Sequence, residues 1–241
     1  MMLYVFPMAG EGSRFKDQGY DNPKYTLPLG VSNVFSEVVK PFLRADNEST
    51  YLFILNKDRQ AYEFVLSELK KLKIKSFLIV TINTPTLGQA HTVYLGLKEI
   101  ETKLYYQGML IYNIDTVRRV FSVSKFMKLG SGYLEVFKMP GNQWSFIEPG
   151  ENNTVIRTTE KNRISPFAST GLYYFNSIIT FKEIFEQAYK VRAMDKGEFY
   201  IAPLYNFIIE SGGSVYYDLI EPKNIIPCGT PEEYENSKSY F

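Results

Sequence analysis

The sequence predicts a three-layer α/β/α fold built on a mainly parallel, mixed sheet. Over the first half of the chain, short apolar runs typical of buried strands alternate with amphipathic segments of helical length. The second half adds several β-rich segments before helices return. Alternation of this kind builds parallel βαβ units with helices on both faces of a sheet, and it places ligands at the carboxyl ends of the strands.

The elements of the first half follow from apolar periodicity and from the residues that interrupt it. A buried strand over residues 3–8 stops at glycines, and a turn-rich loop runs from Gly10 to Gly30. Ser32 or Asn33 can cap a helix over residues 34–43. The remaining predicted elements are strands at 51–55, 77–81 and 109–114 and helices at 59–72 and 89–100.

The second half is predicted to begin with β-structure after Gly130. Strands are expected at residues 133–138, 144–147, 154–159 and 171–175, broken by turns at Pro140-Gly141 and Pro149-Gly150. Helices at 178–190 and 200–209, a strand at 215–218 and a last helix after Pro231 complete the chain. We expect residues 1–241 to form a single domain.

Composition excludes several classes of protein. With 45% hydrophobic and 22% charged residues among 241, the chain can bury a full core. Its 27 basic and 26 acidic residues are mixed along the sequence, so we expect no nucleic-acid partner. Cys228 is the single cysteine, which rules out an internal disulfide and paired-cysteine zinc sites. No stretch approaches the ~20 apolar residues that cross a bilayer, so we expect no membrane partner and a cytoplasmic location.

The opening loop carries the strongest chemical signal. Gly10 and Gly12 let the backbone approach a phosphate closely, with exposed N–H groups as donors. Arg14 offers a planar fork for phosphate oxygens, and Lys24 a point charge. Glycine spacing alone would also suit an ordinary turn. A nicotinamide oxidoreductase is a weaker alternative, because Phe15 stands where the dinucleotide pattern G-x-G-x-x-G has its third glycine.

This loop, together with Pro23-Lys24, resembles the signature of the sugar-phosphate nucleotidyltransferases, G-x-G-x-R followed by P-K. The resemblance implies a Rossmann-like sheet of the nucleotide-diphospho-sugar transferase type and a loop that wraps a nucleoside triphosphate. It also implies that Arg14 and Lys24 are catalytic cations. The loop residues it assigns to the nucleotide are Met8, Ala9, Gly10, Glu11, Gly12 and Ser13.

Further motifs extend the resemblance over nearly the whole chain. Asn83 and the Leu87-Gly88-Gln89-Ala90 segment resemble the stretch that reads the base, and Asn113-Ile114-Asp115 resembles the strand end with a magnesium ligand. The resemblance thus assigns Asn83, Gly88, Gln89 and Asn113 to the nucleotide, Asp115 to Mg²⁺, and Lys161, Thr170, Gly171, Glu198 and Tyr200 to a phosphorylated acceptor, with Lys161 also catalytic. It implies that residues 1–129 form the nucleotide-binding half and residues 130–241 the acceptor-binding half.

Within this family the chain most resembles small enzymes of capsule and surface-polysaccharide clusters, which read P-M-A-G-x-G-S-R-F, then G-Y-x-x-P-K and G-E-F-Y. They include cytidylyltransferases, among them the kind that activates phosphorylated glutamine. The resemblance therefore implies transfer of a nucleotide, CTP by preference, to a sugar phosphate or a phosphorylated amino-acid amide. Pyrophosphate would be released.

Two residues depart from the family pattern. Pro227 stands where many relatives have a second metal-binding aspartate, so Asp218, Glu198 or Glu221, or water and phosphate oxygens, would have to complete the metal's shell. Tyr200 stands where hexose-phosphate relatives often have a glutamate, and a phenol cannot accept two hydroxyl protons. The missing aspartate leaves a second hypothesis open, a catalytically silent module that binds a nucleotide or a sugar nucleotide.

Three residues have plain structural interpretations beside the chemical ones. His91, the single histidine, is expected to pack or to cap its helix. Cys228 is expected to be a small apolar filler. Taken alone, Asp115 would suit a helix N-cap after a buried strand. It is interpreted as a metal ligand only because Arg14, Lys24 and Lys161 are also present.

Overall fold

The computed structural model describes residues 2–100 and 108–241. Its strands are β1 (Met2–Pro7), β2 (Pro28–Leu29), β3 (Ser32–Asn33), β4 (Thr50–Asn56), β5 (Phe77–Ile82), β6 (Gly108–Tyr112), β7 (Thr116–Arg118), β8 (Gly132–Lys138), β9 (Ser145–Pro149), β10 (Val155–Glu160), β11 (Phe167–Phe175), β12 (Val215–Ile220) and β13 (Ile225–Pro227). Its α-helices are α1 (Ser13–Lys16), α2 (Val34–Ala45), α3 (Arg59–Lys71), α4 (Gln89–Lys98), α5 (Ile178–Lys190), α6 (Leu204–Glu210) and α7 (Pro231–Ser237).

Nine of the described strands form one mixed sheet. Seven of them run in the order β10-β9-β11-β6-β1-β4-β5, and β8 joins β11 to β12. Strands β6, β1, β4 and β5 are parallel to one another, whereas β11 is antiparallel to both β6 and β8. Strands from both predicted halves of the chain thus share one sheet, and the three-layer α/β fold is confirmed. The assignment of the halves to two substrates stays a prediction.

The main sheet separates two hydrophobic cores, and strand β1 contributes side chains to both. Side chains alternate along a strand, so Tyr4 and Phe6 face the core under α2 and α3, while Leu3 and Val5 face the core under α4 and α5. All four are fully buried. Burial on both faces explains why this segment reads as a continuous apolar run.

Helix α2 shows how local signals fix an element. Asn33 is its N-cap, and its side chain accepts a hydrogen bond from the Ser36 backbone N–H at 2.9 Å. Val38 and Phe42 recur at a helical spacing and are fully buried, with the Phe42 ring centroid 5.7 Å from that of Phe6. The helix therefore begins where the sequence predicts it, and it ends two residues later than predicted.

Three predictions differ most from the structure. The segment 10–30 contains α1 and a 3-10 turn at Lys24–Thr26, where an irregular loop was expected. The helix expected over residues 200–209 begins at Leu204, because its N-cap is Pro203, and a proline disfavours a helical conformation at the residue before it. Strand β11 begins at Phe167 instead of residue 171, because Gly171 (φ +87°) sits in a bulge within the strand.

The very short strands had no periodicity that could reveal them. Strands β2 and β3 form one hairpin, and β7 pairs with β13 to form another two-stranded sheet. The strand predicted to reach Ile114 ends at Tyr112, since the chain turns there into β7. Among the described segments, no helix combines the length and the apolar character that a membrane span requires.

Candidate functional site

A cavity of 670 Å³ opens at the carboxyl ends of the parallel strands. Pro7 and Met8 enter it from the end of β1, Asn56 and Asp58 from β4, and Asn113 and Asp115 from β6. The other lining residues are Gly10, Glu11, Gly12, Phe15, Lys16, Asp21, Asn22, Pro23, Lys24, Tyr25, Ala61, Gln89 and Ile114. This is the edge at which open α/β sheets bind ligands.

The glycine loop forms one wall of this cavity and has an open backbone. Gly12 has φ +66° and caps α1, a conformation that favours glycine. A Cβ built on Gly10 or Gly12 would meet nothing within 4 Å, so a ligand can approach this backbone closely. Phe15 is 2% exposed, and its ring contacts Tyr20 with centroids 5.3 Å apart. This buried ring anchors the loop.

Lys24 and Asp115 form an ion pair in the cavity. Lys24 Nζ lies 2.5 Å from Asp115 Oδ2, and both side chains are about a quarter exposed (26% and 22%). Burial alone would raise the pKa of Asp115, but the neighbouring Lys24 ammonium outweighs it and lowers the pKa below its ordinary value. The backbone N–H of Cys228 donates to the Asp115 carbonyl at 2.8 Å, which fixes its backbone. The cavity thus contains an ionised carboxylate, which suits a divalent cation.

A second carboxylate, Glu233, lies near Asp115 across the backbone of Gly229. Glu233 Oε2 accepts hydrogen bonds from the N–H groups of Gly229 and Thr230, both at 3.0 Å, within the capping box of α7. A Cβ on Gly229 would lie 3.2 Å from Asp115 Oδ2 and 3.3 Å from Glu233 Oε2. Sequence reasoning missed Glu233, although the Thr-x-x-Glu spacing after Gly229 predicts a capping box.

None of the three carboxylates considered as substitutes for the missing aspartate lines the cavity. Asp218 accepts hydrogen bonds from Ser124 and Tyr133, and Glu198 accepts one from Tyr200. Glu221 is exposed. Across residues 2–100 and 108–241, no three His, Cys, Asp or Glu side chains form a group that could hold a metal ion. Asp115 lines the cavity, as do the carboxylates of Glu11, Asp21 and Asp58, and Asp115 stays the predicted ligand.

An amide pair closes the cavity on the side of α4. Gln89 Nε2 donates a hydrogen bond to Asn113 Oδ1, and both side chains line the cavity. Asn113 also packs on Gly171, where a Cβ would lie 2.5 Å from Asn113 Nδ2. Gly171 is therefore required by this close contact and by its positive φ.

The predicted acceptor residues form a second cluster. Lys161 Nζ donates a hydrogen bond to the Tyr200 hydroxyl, which in turn donates to Glu198 Oε2 at 2.5 Å. Glu160 Oε1 lies 3.9 Å from Lys161 Nζ, and the Ser145 hydroxyl donates to Glu160 Oε2. Burial raises the pKa of Glu160. Lys161 and Glu198 therefore contact the Tyr200 hydroxyl, and Glu160 lies beside Lys161.

Some predicted site residues lie elsewhere. Arg14 is exposed on α1 and does not line the cavity, while Lys16, one residue past Phe15, does. Thr170 is buried, and its hydroxyl donates to the Glu135 carboxylate at 3.2 Å. Ala9, Ser13, Asn83 and Gly88 are also absent from the cavity lining, as are Lys161, Thr170, Gly171, Glu198 and Tyr200.

Lys16, Asn56, Asp58 and Glu160 were not among the predicted site residues. Asn56 ends the strand β4 and Asp58 follows it, so the same strand-end signal that selected Asp115 would have found them. Glu160 had no signal beyond its place next to Lys161. Lys16 had no signal beyond its place in the loop, because a basic residue in a turn is usually solvated.

Comparison with known proteins decides the family. The family model described as nucleotidyl transferase matches residues 8–217, from the glycine loop to β12. The chain belongs to the nucleotidyl transferase family. A nucleoside-diphosphate-sugar pyrophosphorylase from Vibrio cholerae RC9 is 38% identical, with 98% of this chain and 99% of that one covered and a TM-score of 0.92. No curated protein matches the chain.

Other solved structures share the fold of this nucleotidyl transferase at low sequence identity. A UDP-glucose pyrophosphorylase complexed with UDP-glucose is 15% identical, with 100% of this chain and 98% of that one covered and a TM-score of 0.78. The inositol-1-phosphate CTP transferase from T. maritima is 14% identical, with coverages of 99% and 94% and a TM-score of 0.72. These two comparisons support the fold.

Proposed function

We propose that this nucleotidyl transferase joins a nucleoside triphosphate, CTP by preference, to a small phosphorylated metabolite and releases pyrophosphate. The observation that carries the proposal is the Lys24–Asp115 pair, which lies inside the cavity bounded by the open glycine loop. A cation and an ionised carboxylate beside free backbone donors suit a triphosphate and its counter-ion. We also propose a role in surface-polysaccharide synthesis, which the family resemblance supports, and a cytoplasmic location, which the use of a nucleoside triphosphate supports.

The reaction we propose needs no protein nucleophile. A phosphate oxygen of the acceptor attacks the α-phosphorus in line, the bond to the β-phosphate oxygen breaks, and pyrophosphate leaves with that electron pair. Lys24 would neutralise charge at the α-phosphate, and the amides of the glycine loop would hold the leaving pyrophosphate. We keep Arg14 in this role as a prediction, since it lies on the same loop but outside the cavity lining.

Asp115 is the residue that would hold Mg²⁺. When bound there, the ion would neutralise charge on the phosphate oxygens. The donor set fits a cation of this kind, because Asp115 is an ionised carboxylate oxygen donor at the cavity wall and Glu233 lies nearby across Gly229. Lys24, which pairs with Asp115 in the structure, would contact the phosphates.

The cluster around Tyr200 supports a phosphorylated acceptor that also carries polar groups. Lys161 would bind the acceptor phosphate, while Glu160 and Glu198 would accept hydrogen bonds from hydroxyl or amino groups. A sugar phosphate and a phosphorylated amino-acid amide both have this combination. The relative from Vibrio cholerae RC9 bears a name that refers to nucleoside-diphosphate sugars, which supports the first of them.

The amide pair supports a role in reading the base. Gln89 and Asn113 present donors and acceptors at the cavity wall, as recognition of a base edge requires. Preference for CTP rests on the resemblance to capsule-cluster cytidylyltransferases, and one structure that shares the fold is named a CTP transferase.

Pyrophosphate release tests the proposal directly. The protein is mixed with Mg²⁺, each of CTP, UTP, ATP, GTP and dTTP in turn, and a panel of sugar phosphates and phosphorylated amino-acid amides. We expect release with CTP and one class of acceptor. Nucleotide binding by calorimetry without release from any pair would favour the catalytically silent module instead.

A further inference from the structure

We infer that His91 is a positioning residue, which holds the turn at Leu87 against Phe199 and thereby joins the nucleotide side of the site to the acceptor side. The inference rests on the proposed function, because that function assigns the two segments to the two substrates. His91 is the third residue of α4, and its side chain points back toward the turn that precedes the helix.

The imidazole holds the turn that precedes α4. Gly88 is the N-cap of α4 and has no side chain to bond the first backbone N–H groups, one of which, that of Ala90, donates to the Phe199 carbonyl. The Leu87 N–H, which lies before the N-cap, donates to His91 Nδ1 at 3.0 Å. Burial lowers the pKa of His91, which keeps Nδ1 free to accept this bond near neutral pH.

The same turn is bonded to Phe199 by two backbone hydrogen bonds. The Phe199 N–H donates to the Leu87 carbonyl at 2.7 Å, and the Ala90 N–H donates to the Phe199 carbonyl at 3.0 Å. Gly88 packs so closely here that a Cβ would lie 2.8 Å from Phe199 N. The contact leaves little room for the turn to move independently of the Phe199 segment.

An aromatic cluster reinforces this connection. The His91 ring stacks on Phe185 with centroids 5.8 Å apart and planes 9° from parallel, and it lies 6.0 Å from the Tyr189 ring. Phe185 and Tyr189 also contact Phe199, with centroids 5.3 Å and 5.5 Å away. His91 therefore contacts the Phe199 segment both through the Leu87 backbone and through packed rings.

Residues next to these contacts belong to the two proposed subsites. Gln89, next to Gly88, is bonded to Asn113 in the cavity. Glu198 and Tyr200 flank Phe199 and are connected to Lys161. Release of the Leu87 N–H would let Gln89 and Tyr200 shift together, so both substrates should bind more weakly. Turnover at saturation should change less, because Lys24 and Asp115 lie on other elements.

The experiment compares two variants of the full chain. His91→Phe keeps a stacking ring but has no acceptor, whereas His91→Asn supplies an amide oxygen near the position of Nδ1. Hydrogen exchange at the Leu87 amide is measured by NMR, together with kcat and the KM of each substrate. In His91→Phe we expect the exchange rate of the Leu87 amide and the KM of each substrate to rise about three- to tenfold, because one hydrogen bond is lost. The kcat should stay within about twofold of the wild-type value. His91→Asn should restore most of each loss.

Equal exchange at Leu87 in wild type and His91→Phe would overturn the inference, and so would a His91→Asn variant as impaired as His91→Phe. Exchange at the Val5 amide in β1 checks that the fold is intact, and His91→Leu replaces His91→Phe if that variant does not fold. Exchange and calorimetric nucleotide binding need no turnover. If the protein showed no activity, the proposed function would be refuted. Leu87 exchange and nucleotide binding would still test the role of His91.

Discussion

Lys24 Nζ lies 2.5 Å from Asp115 Oδ2, although the two residues are 91 positions apart in the chain. The first belongs to the 3-10 turn after the glycine loop, and the second follows β6. Since β1 and β6 are adjacent parallel strands, the chain leaves both of them at the same edge of the sheet. The pair therefore joins the two segments that carry the strongest chemical signals in the sequence.

Asp115→Asn should abolish most turnover without unfolding the protein. The variant removes the negative charge that would hold Mg²⁺ and that pairs with Lys24, while it keeps the shape of the side chain. We expect kcat to fall roughly 100-fold or more. Circular dichroism should be unchanged, and Glu183→Gln, an exposed change on α5, is the matched control. A near-normal rate for Asp115→Asn would refute the assignment of the metal ligand.

Lys161→Ala should weaken the acceptor more than the nucleotide. Lys161 contacts Tyr200 and Glu160 and does not line the cavity that contains Lys24. Loss of a charged hydrogen-bond donor to phosphate should raise the acceptor KM by about ten- to a hundredfold. Steady-state kinetics with each substrate varied in turn provides the measurement. An equal rise in both KM values would contradict the separate acceptor subsite.

Glu68 should make stability depend on pH. It accepts hydrogen bonds from Asn33 and Ser36 of the α2 N-terminus and from Lys71. Burial would raise its pKa, but these bonds outweigh burial and lower the pKa below the ordinary value of 4.5. The native state then favours the ionised form. Its stabilising contribution is complete above the unfolded-state pKa and is lost as the pH falls through the lowered, folded-state pKa.

Urea denaturation of Glu68→Gln against wild type measures this contribution. We expect the variant to lose about 2 kcal/mol of unfolding free energy near neutral pH, and the difference to shrink as the pH falls below the ordinary value of 4.5. Glu48→Gln is the control, because Glu48 is 73% exposed in its pair with Lys75 and such pairs contribute little. A pH-independent difference for Glu68→Gln would show that packing, and not ionisation, is responsible.

Gly88→Ala should destabilise the protein far more than Gly212→Ala. Both glycines have positive φ, +98° and +85°. Only Gly88 is enclosed, because its Cβ would lie 2.8 Å from Phe199 N and O, whereas nothing lies within 4 Å at Gly212. We expect a loss of about 1 kcal/mol at Gly212 from backbone strain alone, and about 3 kcal/mol at Gly88. Thermal unfolding of the two variants measures the difference. Similar losses of unfolding free energy would mean that the Leu87–Phe199 contact is loosely packed.

Much of the fold was predictable because its signals are local. The helix over residues 178–190 was predicted with the bounds of α5, since Ser177 caps it and its buried positions recur at a helical spacing. The strand predicted over residues 171–175 begins earlier, at Phe167. A glycine is typical of a strand end, whereas Gly171 occupies a bulge inside β11. The helix predicted from residue 200 begins only at Leu204, because Pro203 is its N-cap and restricts the residue before it.

The sequence by itself determined the longer strands and helices and which of their faces are buried, and it selected the glycine loop, Lys24 and Asp115 as candidates for the chemistry. Apolar periodicity, helix caps and turn residues depend on residues within a few positions of one another. Strands, helices and their buried faces can therefore be predicted from the local sequence. Only the tertiary structure decided that Lys24 forms an ion pair with Asp115 and that Arg14 lies outside the cavity lining. It also placed Glu233 near Asp115, the predicted metal ligand, across Gly229. Those outcomes depend on the order and register of the strands, which the packing of distant segments fixes.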